Sequence, residues 1–194
     1  MDSVHTTPFR IVVITGGSAT GKSTLTIGLL KELRNARVLT SVTTRQPRED
    51  DLEGEYEYVS QADFEHALAQ NEFFSYTKVS DDYYGMRKSK LIAALGSEDV
   101  FIRPLTPDKI TLWRAHGKEK IVFLHLVPPP PFEIQARFAA RGTPANEIAA
   151  RLQKAKDWED QIVRLVADGA PIRFVTGNTP AAMLANALQV LCAS

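Results

Sequence analysis

Cysteine is nearly absent from this sequence of 194 residues, with Cys192 as its only example. A single cysteine cannot form a disulfide within the chain, which favours a reducing, cytoplasmic compartment. We interpret Cys192 as a small apolar residue of a terminal helix. The sequence also lacks any apolar run close to the roughly 20 residues that span a bilayer. Residues 1–10 lack the basic and apolar segments of a signal peptide, so we expect a cytoplasmic protein with no membrane partner.

Net charge is absent as well, because Lys and Arg together number 23 and Asp and Glu together number 23. A balanced chain has no overall field that attracts nucleic acid, so we expect no nucleic-acid partner. Any anion site must instead be built from a few local side chains. The length suits a single domain, either monomeric or homodimeric.

Short apolar strands alternate with helices along the chain. Strands are predicted at 10–15, 36–42, 99–105 and 120–127, and a last strand and turn at 171–178. Helices are predicted at 22–34, at 60–70 from an N-cap at Ser60, after the prolines at 128–131 with a break near Arg141-Gly142, and from Thr179-Pro180 onward. A further helix start is predicted at Thr106-Pro107, and residues 45–57 are predicted to form a loop. This alternation predicts an α/β fold with a parallel sheet flanked by helices.

The segment "GGSATGKS", residues 16–23, fills every fixed position of the phosphate-loop motif G-x-x-x-x-G-K-[ST]. It lies between an apolar strand and an amphipathic helix, as the mechanism requires, which disfavours a chance glycine-rich turn. Backbone N–H groups of such a loop bind phosphate oxygens, and Lys22 reaches the β- and γ-phosphates. Ser23 is the predicted ligand of Mg²⁺, the expected cofactor with ATP. The predicted ATP-binding residues are Gly16, Gly17, Ser18, Ala19, Thr20, Gly21, Lys22, Ser23 and Thr24.

The segment "SVTTRQPR", residues 41–48, places two arginines three positions apart behind a run of hydroxyls. Such donors suit a dianionic phosphate, since guanidinium groups bind phosphate through paired hydrogen bonds. The alternative is a solvated loop with surface charges.

From Ile11 to about Asn178 the chain resembles the guanylate kinase family. The resemblance rests on the phosphate loop and on "SVTTRQPRE", "EGEYEYVSQADF", "NEFF", "YYG" and "RGTPANEIAARL", in matching order and spacing. That family transfers a phosphoryl group from ATP to the phosphate of GMP. The resemblance implies a P-loop kinase formed by one domain over 1–194, with a core (8–40, 88–135 and 152–194), an acceptor-binding insert (41–87) and a lid (136–151).

The resemblance also implies roles for individual residues. Those that match the family's acceptor-phosphate ligands are Ser41, Arg45, Arg48, Tyr56 and Tyr84. Those that match lid and hinge arginines, catalytic together with Lys22, are Arg137, Arg141 and Arg151. Asn178 matches an asparagine near the donor adenine. Arginines of a closing lid stabilise charge in phosphoryl transfer, although a basic helix face in water would show the same pattern.

Three departures from the family fall at positions that contact guanine or metal. Ser75 stands where the family has a glutamate that contacts guanine, and Met86 stands where it has a hydroxyl residue. Arg103 and Leu105 replace aspartates of the strand at 99–105. The family of ribose 1,5-bisphosphate phosphokinases resembles this chain in those losses, whereas "SVTTRQPR" and Tyr56 resemble guanylate kinases more closely.

Two interpretations of Arg103 follow. It either binds a second anionic group of the acceptor, or forms a salt bridge with Asp99 or a nearby loop acid. Three functions therefore remain open from the sequence: a nucleoside monophosphate kinase with GMP as the family default, a kinase of a sugar phosphate, and a non-catalytic binding module. The intact lysine and glycines of the phosphate loop disfavour the last.

Overall fold

The computed structural model describes residues 8–49, 51–117 and 119–193, which form two sheets and seven α-helices. The strands are β1 (Ile11–Thr15), β2 (Ala36–Val38), β3 (Ser41–Thr43), β4 (Tyr56–Tyr58), β5 (Phe73–Val79), β6 (Asp82–Arg87), β7 (Val100–Leu105), β8 (Ile121–Leu126) and β9 (Ile172–Val175). The α-helices are α1 (Lys22–Glu32), α2 (Gln61–Ala69), α3 (Lys88–Gly96), α4 (Ile110–Arg114), α5 (Pro131–Ala140), α6 (Ala145–Ala167) and α7 (Pro180–Cys192).

The first sheet is parallel and has the strand order β2-β7-β1-β8-β9. β1 lies at its centre, where Thr15 is the register partner of Leu105 on one side and of His125 on the other. The carboxyl ends of β7 and β8 therefore flank the start of the phosphate loop. This arrangement confirms the predicted α/β fold.

Hydrophobic clusters cover the two faces of this sheet. Val12 and Ile14 point into the cluster that holds buried residues of α1 and α7. Ile11 and Val13 point into the opposite cluster, which includes Trp113. This division follows from the strand geometry, since successive side chains of a strand point to opposite faces. The core is therefore a three-layer sandwich with β1 buried in its middle.

The second sheet has the order β4-β3-β6-β5 and forms entirely from residues 41–87. The prediction of one strand over 36–42 was wrong, because β2 and β3 belong to different sheets. The N–H of Leu39 still donates to the carbonyl of Ile102 in the first sheet, and two residues later β3 pairs with β4 and β6. The predicted loop over 45–57 was wrong at its end, where β4 begins.

The helix boundaries agree largely with the sequence. Ser60 and Thr179 cap α2 and α7, with side-chain oxygens that accept from the N–H groups of Asp63 and Ala182, each at 3.1 Å. Thr106 precedes a short 3-10 turn at Pro107–Lys109 but makes no side-chain cap. The predicted break in the long helical stretch separates α5 from α6. Cys192 ends the terminal helix as predicted, but its side chain is exposed rather than packed.

Among the helices that the described residues form, none combines the length and apolar character needed to cross a membrane.

Gly85 of the "YYG" segment permits an aromatic stack in the second sheet. The rings of Phe64 and Phe73 stack with centroids 4.3 Å apart. A Cβ at Gly85 would lie 2.6 Å from Phe73 Cε1 and 3.0 Å from Phe64 Cζ. The glycine is therefore required by close packing of rings over the backbone.

We predict that Gly85→Ala lowers the free energy of unfolding by about 1–3 kcal/mol, since overpacking a rigid core forces side chains off their rotamers. Urea unfolding measures the change. Gly96→Ala is the matched control, because nothing lies within 4 Å of its Cβ position and Gly96 ends a helix. Equal unfolding midpoints for the two variants would contradict the packing argument.

Candidate active site

The phosphate loop occupies residues 16–21 between β1 and α1. Gly16 and Gly21 have φ values of 153° and 106°, in the region that favours glycine. A Cβ at Gly16 would lie 2.9 Å from Thr20 Oγ1, whose hydroxyl donates to the Gly17 carbonyl at 2.9 Å. The glycines therefore let the loop wrap tightly before the first turn of α1, where helix N–H groups attract anions.

Lys22 lies across this loop. Its Nζ donates to the carbonyls of Gly16 at 2.8 Å and Gly17 at 2.6 Å. Burial, together with the nearby charge of Arg141, lowers the pKa of Lys22 to about 8. An anionic phosphate beside Nζ would favour the charged form and raise this pKa again.

Two of the three predicted lid arginines lie beside the phosphate loop. Arg137 Nη1 donates to the Ala19 carbonyl at 2.9 Å, and both Arg137 and Arg141 line a cleft of about 440 Å³ that Asn178 also lines. Arg151 does not line this cleft. It pairs with Glu147 at 3.0 Å, and its guanidinium is 5.4 Å from the ring centre of Phe138. The cleft continues along residues 127–130 and 175–180.

The protein ligands available for a metal ion are few. Ser23 is exposed in the first turn of α1, and no group of three or more His, Cys, Asp or Glu gathers within the described ranges. A single hydroxyl ligand is compatible with Mg²⁺, which commonly binds few protein ligands and completes its coordination sphere with phosphate oxygens and water.

Four predicted acceptor ligands lie together, three on strands of the second sheet and Arg45 just after β3. Ser41 on β3 is the register partner of Tyr56 on β4. The Arg45 guanidinium carbon is 5.0 Å from the centre of the Tyr56 ring, and the Tyr56 and Tyr84 rings are 6.2 Å apart. The adjacent Tyr83 stacks instead on Phe64, with ring centres 5.0 Å apart, because neighbouring strand residues point to opposite faces of a sheet. The retained half of the family pattern thus forms one compact polar group.

Arg45 of this group is already paired. Both carboxylate oxygens of Asp51 accept from it, at 3.0 and 2.6 Å, and the carboxylate also accepts from the Tyr58 hydroxyl at 2.6 Å and the Arg48 N–H at 2.7 Å. These hydrogen bonds, chiefly that of Arg45, lower the pKa of Asp51 well below its usual range. The Arg48 side chain is exposed. Asp51 therefore sits among the donors that the resemblance assigns to the acceptor phosphate.

Arg103 forms no ion pair with an acid among the described residues, and its only hydrogen-bond contact is with a backbone carbonyl. The suggested salt bridge with Asp99 is wrong, since Asp99 pairs with Arg37 at 2.9 Å. Arg103 Nη1 has only a long 3.5 Å contact with the Leu39 carbonyl, and its buried Nε has no hydrogen-bond partner. Burial lowers the pKa of Arg103, whereas the nearby Tyr56 and Glu55 act in the opposite direction.

Residues 9–158 match the guanylate kinase family profile. The chain belongs to the guanylate kinase family. The chain is 36% identical over 138 residues to the guanylate kinase of Clostridium tetani, which covers 71% of this chain and 65% of that protein. It is 35% identical over 158 residues to the guanylate kinase of Neisseria gonorrhoeae, covering 79% of this chain and 76% of the relative.

Solved structures support the same fold. The guanylate kinase of Anaplasma phagocytophilum aligns with a TM-score of 0.69 at 18% identity, covering 97% of this chain and 86% of that one. A gluconokinase from Sinorhizobium meliloti aligns with a TM-score of 0.51 at 14% identity, covering 96% and 93%. Members of the guanylate kinase family are ATP-dependent kinases, and this chain has the complete phosphate loop of one.

The positions that depart from the guanylate kinase pattern lie next to one another. Ser75 on β5 is the register partner of Met86 on β6. Met86 is 2% exposed and belongs to the cluster around Trp113, against which Leu105 also packs. The apolar core of this chain therefore extends into the place where the family has polar groups.

Two acids and a histidine of the site were missed by the sequence analysis. Asp51 is one, and its only sequence signal is an acid in a polar turn three residues after Arg48. His125 is a single polar residue within a fully buried strand, and its Nε2 lies 3.1 Å from both carboxylate oxygens of Glu159. A polar residue in an otherwise apolar strand was the available signal.

We predict that ATP binding weakens above pH 8. Lys22 is protonated below its pKa of about 8 in the free protein, so ATP binding at higher pH must take up a proton. The dissociation constant should be flat below pH 8 and then rise, by at most about tenfold per pH unit. Calorimetric titration with ATP from pH 7 to pH 10 measures it. Lys22→Ala should bind weakly with no such rise, and an equal rise in both proteins would refute the assignment.

We predict that Asp51→Asn binds inorganic phosphate more tightly than wild type. Removing the carboxylate charge frees Arg45 for the anion, and a charge-assisted hydrogen bond is worth about 1.5–3 kcal/mol, or on the order of tenfold in affinity. Calorimetric titration with phosphate measures the change. Asp81→Asn, at an exposed acid of the same segment, is the control. Weaker phosphate binding in Asp51→Asn would mean that Asp51 orients Arg45 rather than competes with the anion.

Proposed function

We propose that this protein transfers the γ-phosphoryl group of ATP to the phosphate of a small acceptor that carries a second anionic group and no guanine. GMP remains the family default with which this proposal competes. The observation that carries the proposal is Arg103, a half-buried arginine beside the acceptor-phosphate group whose buried Nε has no hydrogen-bond partner.

The ATP-binding side of the proposed site is formed by the phosphate loop and the cleft beside it. ATP phosphates would lie on the loop N–H groups, where Lys22 exchanges its carbonyl contacts for β- and γ-phosphate oxygens. Arg137 and Arg141 would add positive charge from the other side of the cleft, and Asn178 would lie near the adenine. Mg²⁺, held by Ser23 with phosphate oxygens and water, would neutralise charge on the transferring group. Positioning and charge stabilisation are most of what phosphoryl transfer needs.

The acceptor phosphate fits the group around Tyr56. Ser41 offers a buried hydroxyl whose oxygen has no hydrogen-bond partner, and Tyr56 and Tyr84 offer hydroxyls beside it. Arg45 becomes available once the phosphate replaces the carboxylate of Asp51. A dianionic phosphate binds these donors more strongly than a monoanionic one, because charge-assisted hydrogen bonds become stronger as the charge of the acceptor increases.

The base side argues against guanine. Ser75 offers no charged acceptor to the N–H groups of guanine, and Met86 and Leu105 offer no polar atom. Each lost charge-assisted hydrogen bond costs about 1.5–3 kcal/mol, so two or three losses would reduce selectivity by several powers of ten.

A second anion explains Arg103 better than a structural role does. A buried charge normally pairs with a carboxylate, because its desolvation is otherwise uncompensated. No ion pair joins Arg103 to an acid within the described parts of the chain. Asp99 forms its ion pair with Arg37, on the neighbouring strand β2. A sugar bisphosphate such as ribose 1,5-bisphosphate supplies one phosphate as acceptor and another as partner for this cation.

The non-catalytic alternative is less well supported. A module that only binds partners needs neither Lys22 nor the lid arginines near the phosphate loop. Here Lys22, Arg137 and the glycines make a connected set of contacts with the loop backbone.

The test is a steady-state comparison of GMP, other nucleoside monophosphates and ribose 1,5-bisphosphate as acceptors for wild type, Arg103→Ala and the control Arg37→Ala. We expect the bisphosphate to have the highest kcat/KM, and Arg103→Ala to lose on the order of tenfold or more of it, the value of one charge-assisted contact. Arg37→Ala should behave as wild type, because Arg37 is largely exposed. A kcat/KM for GMP near the diffusional ceiling of about 10⁸ M⁻¹s⁻¹, unchanged in Arg103→Ala, would overturn the proposal and restore GMP as the acceptor.

A further inference from the structure

One face of α6 forms a seam that faces the interior of the protein. Its residues follow the alternating spacing of four and three that keeps side chains on one side of a helix: Ile148, Leu152, Ala155, Glu159 and Ile162. Ile148 and Ile162 are buried, and Leu152 packs against buried residues. Glu159 is the one charged residue in this series. A carboxylate on an apolar seam needs a partner, since its burial without one is costly.

His125 is that partner. The imidazole is fully buried on β8, with Nδ1 3.0 Å from Thr15 Oγ1 and Nε2 3.1 Å from each oxygen of Glu159. An ionised carboxylate only accepts hydrogen bonds, so Nε2–H is the donor. Thr15 is the last residue of β1 and directly precedes the phosphate loop. The hydrogen bonds therefore join α6 to the two strands that support the loop.

The rest of the seam joins α6 to the phosphate loop and to α5. A Cβ at Gly17 would lie 3.4 Å from Ala155 Cβ, so the helix passes in contact with the loop. At the amino-terminal end of the seam, Ile148 clusters with Ala19 of the loop and with Phe138 of α5. α5 carries Arg137, whose guanidinium reaches the Ala19 carbonyl.

We propose that His125 is a positioning residue for phosphoryl transfer. Its hydrogen bonds to Glu159 fix the position of α6 along its axis, and α6 in turn places α5, with Arg137 and the following Arg141, beside the phosphate loop. This role depends on the kinase family alone and not on which acceptor is used.

The pair fixes the register of α6, that is, which residues of the helix lie against the phosphate loop and the sheet. Apolar side chains of a seam tolerate sliding, because each can pack in the place of the next. The pair of His125 and Glu159 does not, since a shift of one helical turn would leave the fully buried His125 without a partner and would separate it from Glu159, whose side chain is 31% exposed. Replacing such a pair by apolar residues is often neutral or stabilising, which separates positioning from stability.

The experiment compares the double variant His125→Leu/Glu159→Leu, the conservative variant Glu159→Gln and the control Asp160→Leu, whose acid is exposed beside Glu159 on the same helix. Spin labels at Asn146→Cys and Lys31→Cys, both exposed positions, in a Cys192→Ser background, report the distance between the start of α6 and the end of α1. Unfolding midpoints, kcat and the KM for ATP are measured with the acceptor of highest turnover from the screen described above.

We expect the double variant to unfold no earlier than wild type, while its distance distribution broadens or shifts by about 5.4 Å, one helical turn. Its kcat should fall by about tenfold or more, because small displacements of positioning groups are costly. The KM for ATP should change little, and Glu159→Gln and Asp160→Leu should keep the wild-type distance and kcat.

A double variant that folds and keeps the wild-type distance distribution would overturn the inference, and so would a kcat loss confined to destabilised protein. If the double variant does not fold, Glu159→Ala has the same expectations for the distance and for kcat, but it should unfold earlier than wild type because it leaves His125 Nε2–H without an acceptor. Measured at a temperature where Glu159→Ala is folded, an unchanged distance distribution would overturn the inference. If the acceptor screen finds no substrate, the distance measurement still decides, so failure of the proposed function and failure of this inference are distinguishable.

Discussion

Backbone carbonyls of the phosphate loop organise the cations of this protein. Gly16 and Gly17 accept from Lys22, and Ala19 accepts from Arg137. These carbonyls point at cations because the loop winds with left-handed residues between a buried strand and a helix. The same winding turns the N–H groups outward toward phosphate. One stretch of backbone therefore holds the positive side chains and leaves its donors for the anion that they will share.

Charge in this chain is balanced overall and uneven locally. Arg45 is fully engaged by Asp51, and Arg87 pairs with Glu57 and Glu72. Arg103 alone among these has only a distant carbonyl. In the proposed function, Asp51 holds Arg45 in place until the acceptor phosphate replaces the carboxylate. Such competition would favour strongly charged acceptors.

The sequence predicted what is local and missed what depends on distant pairing. The phosphate loop, the cap at Ser60, the helix start at Thr179-Pro180 and the break between α5 and α6 are each specified by a few adjacent residues. The separation of β2 from β3 depends on partners in two different sheets, which no window of residues 36–43 contains. Arg45–Asp51 and His125–Glu159 likewise need the fold to bring acids to their partners. Arg103 was predictable in part. Its departure from the family pattern is visible in the sequence, whereas the pairing of Asp99 with Arg37, which leaves Arg103 without that acid, depends on the fold.

One hydrophobic cluster contains both Met86, which departs from the family pattern, and Ile162, through which α6 packs on the sheet. Met86, where the family has a hydroxyl, lies in the same cluster as Trp113 and as Ile162 of the α6 seam, and Leu105 packs against it. Restoring a polar residue for guanine at Met86 would therefore put an unpaired group into the core that supports α6. In the proposed function, acceptor preference and the placement of Arg137 and Arg141 would therefore depend on the same packing. A change in one of these properties would then require an adjustment in the other, so the departures from the family pattern are expected to act together rather than singly.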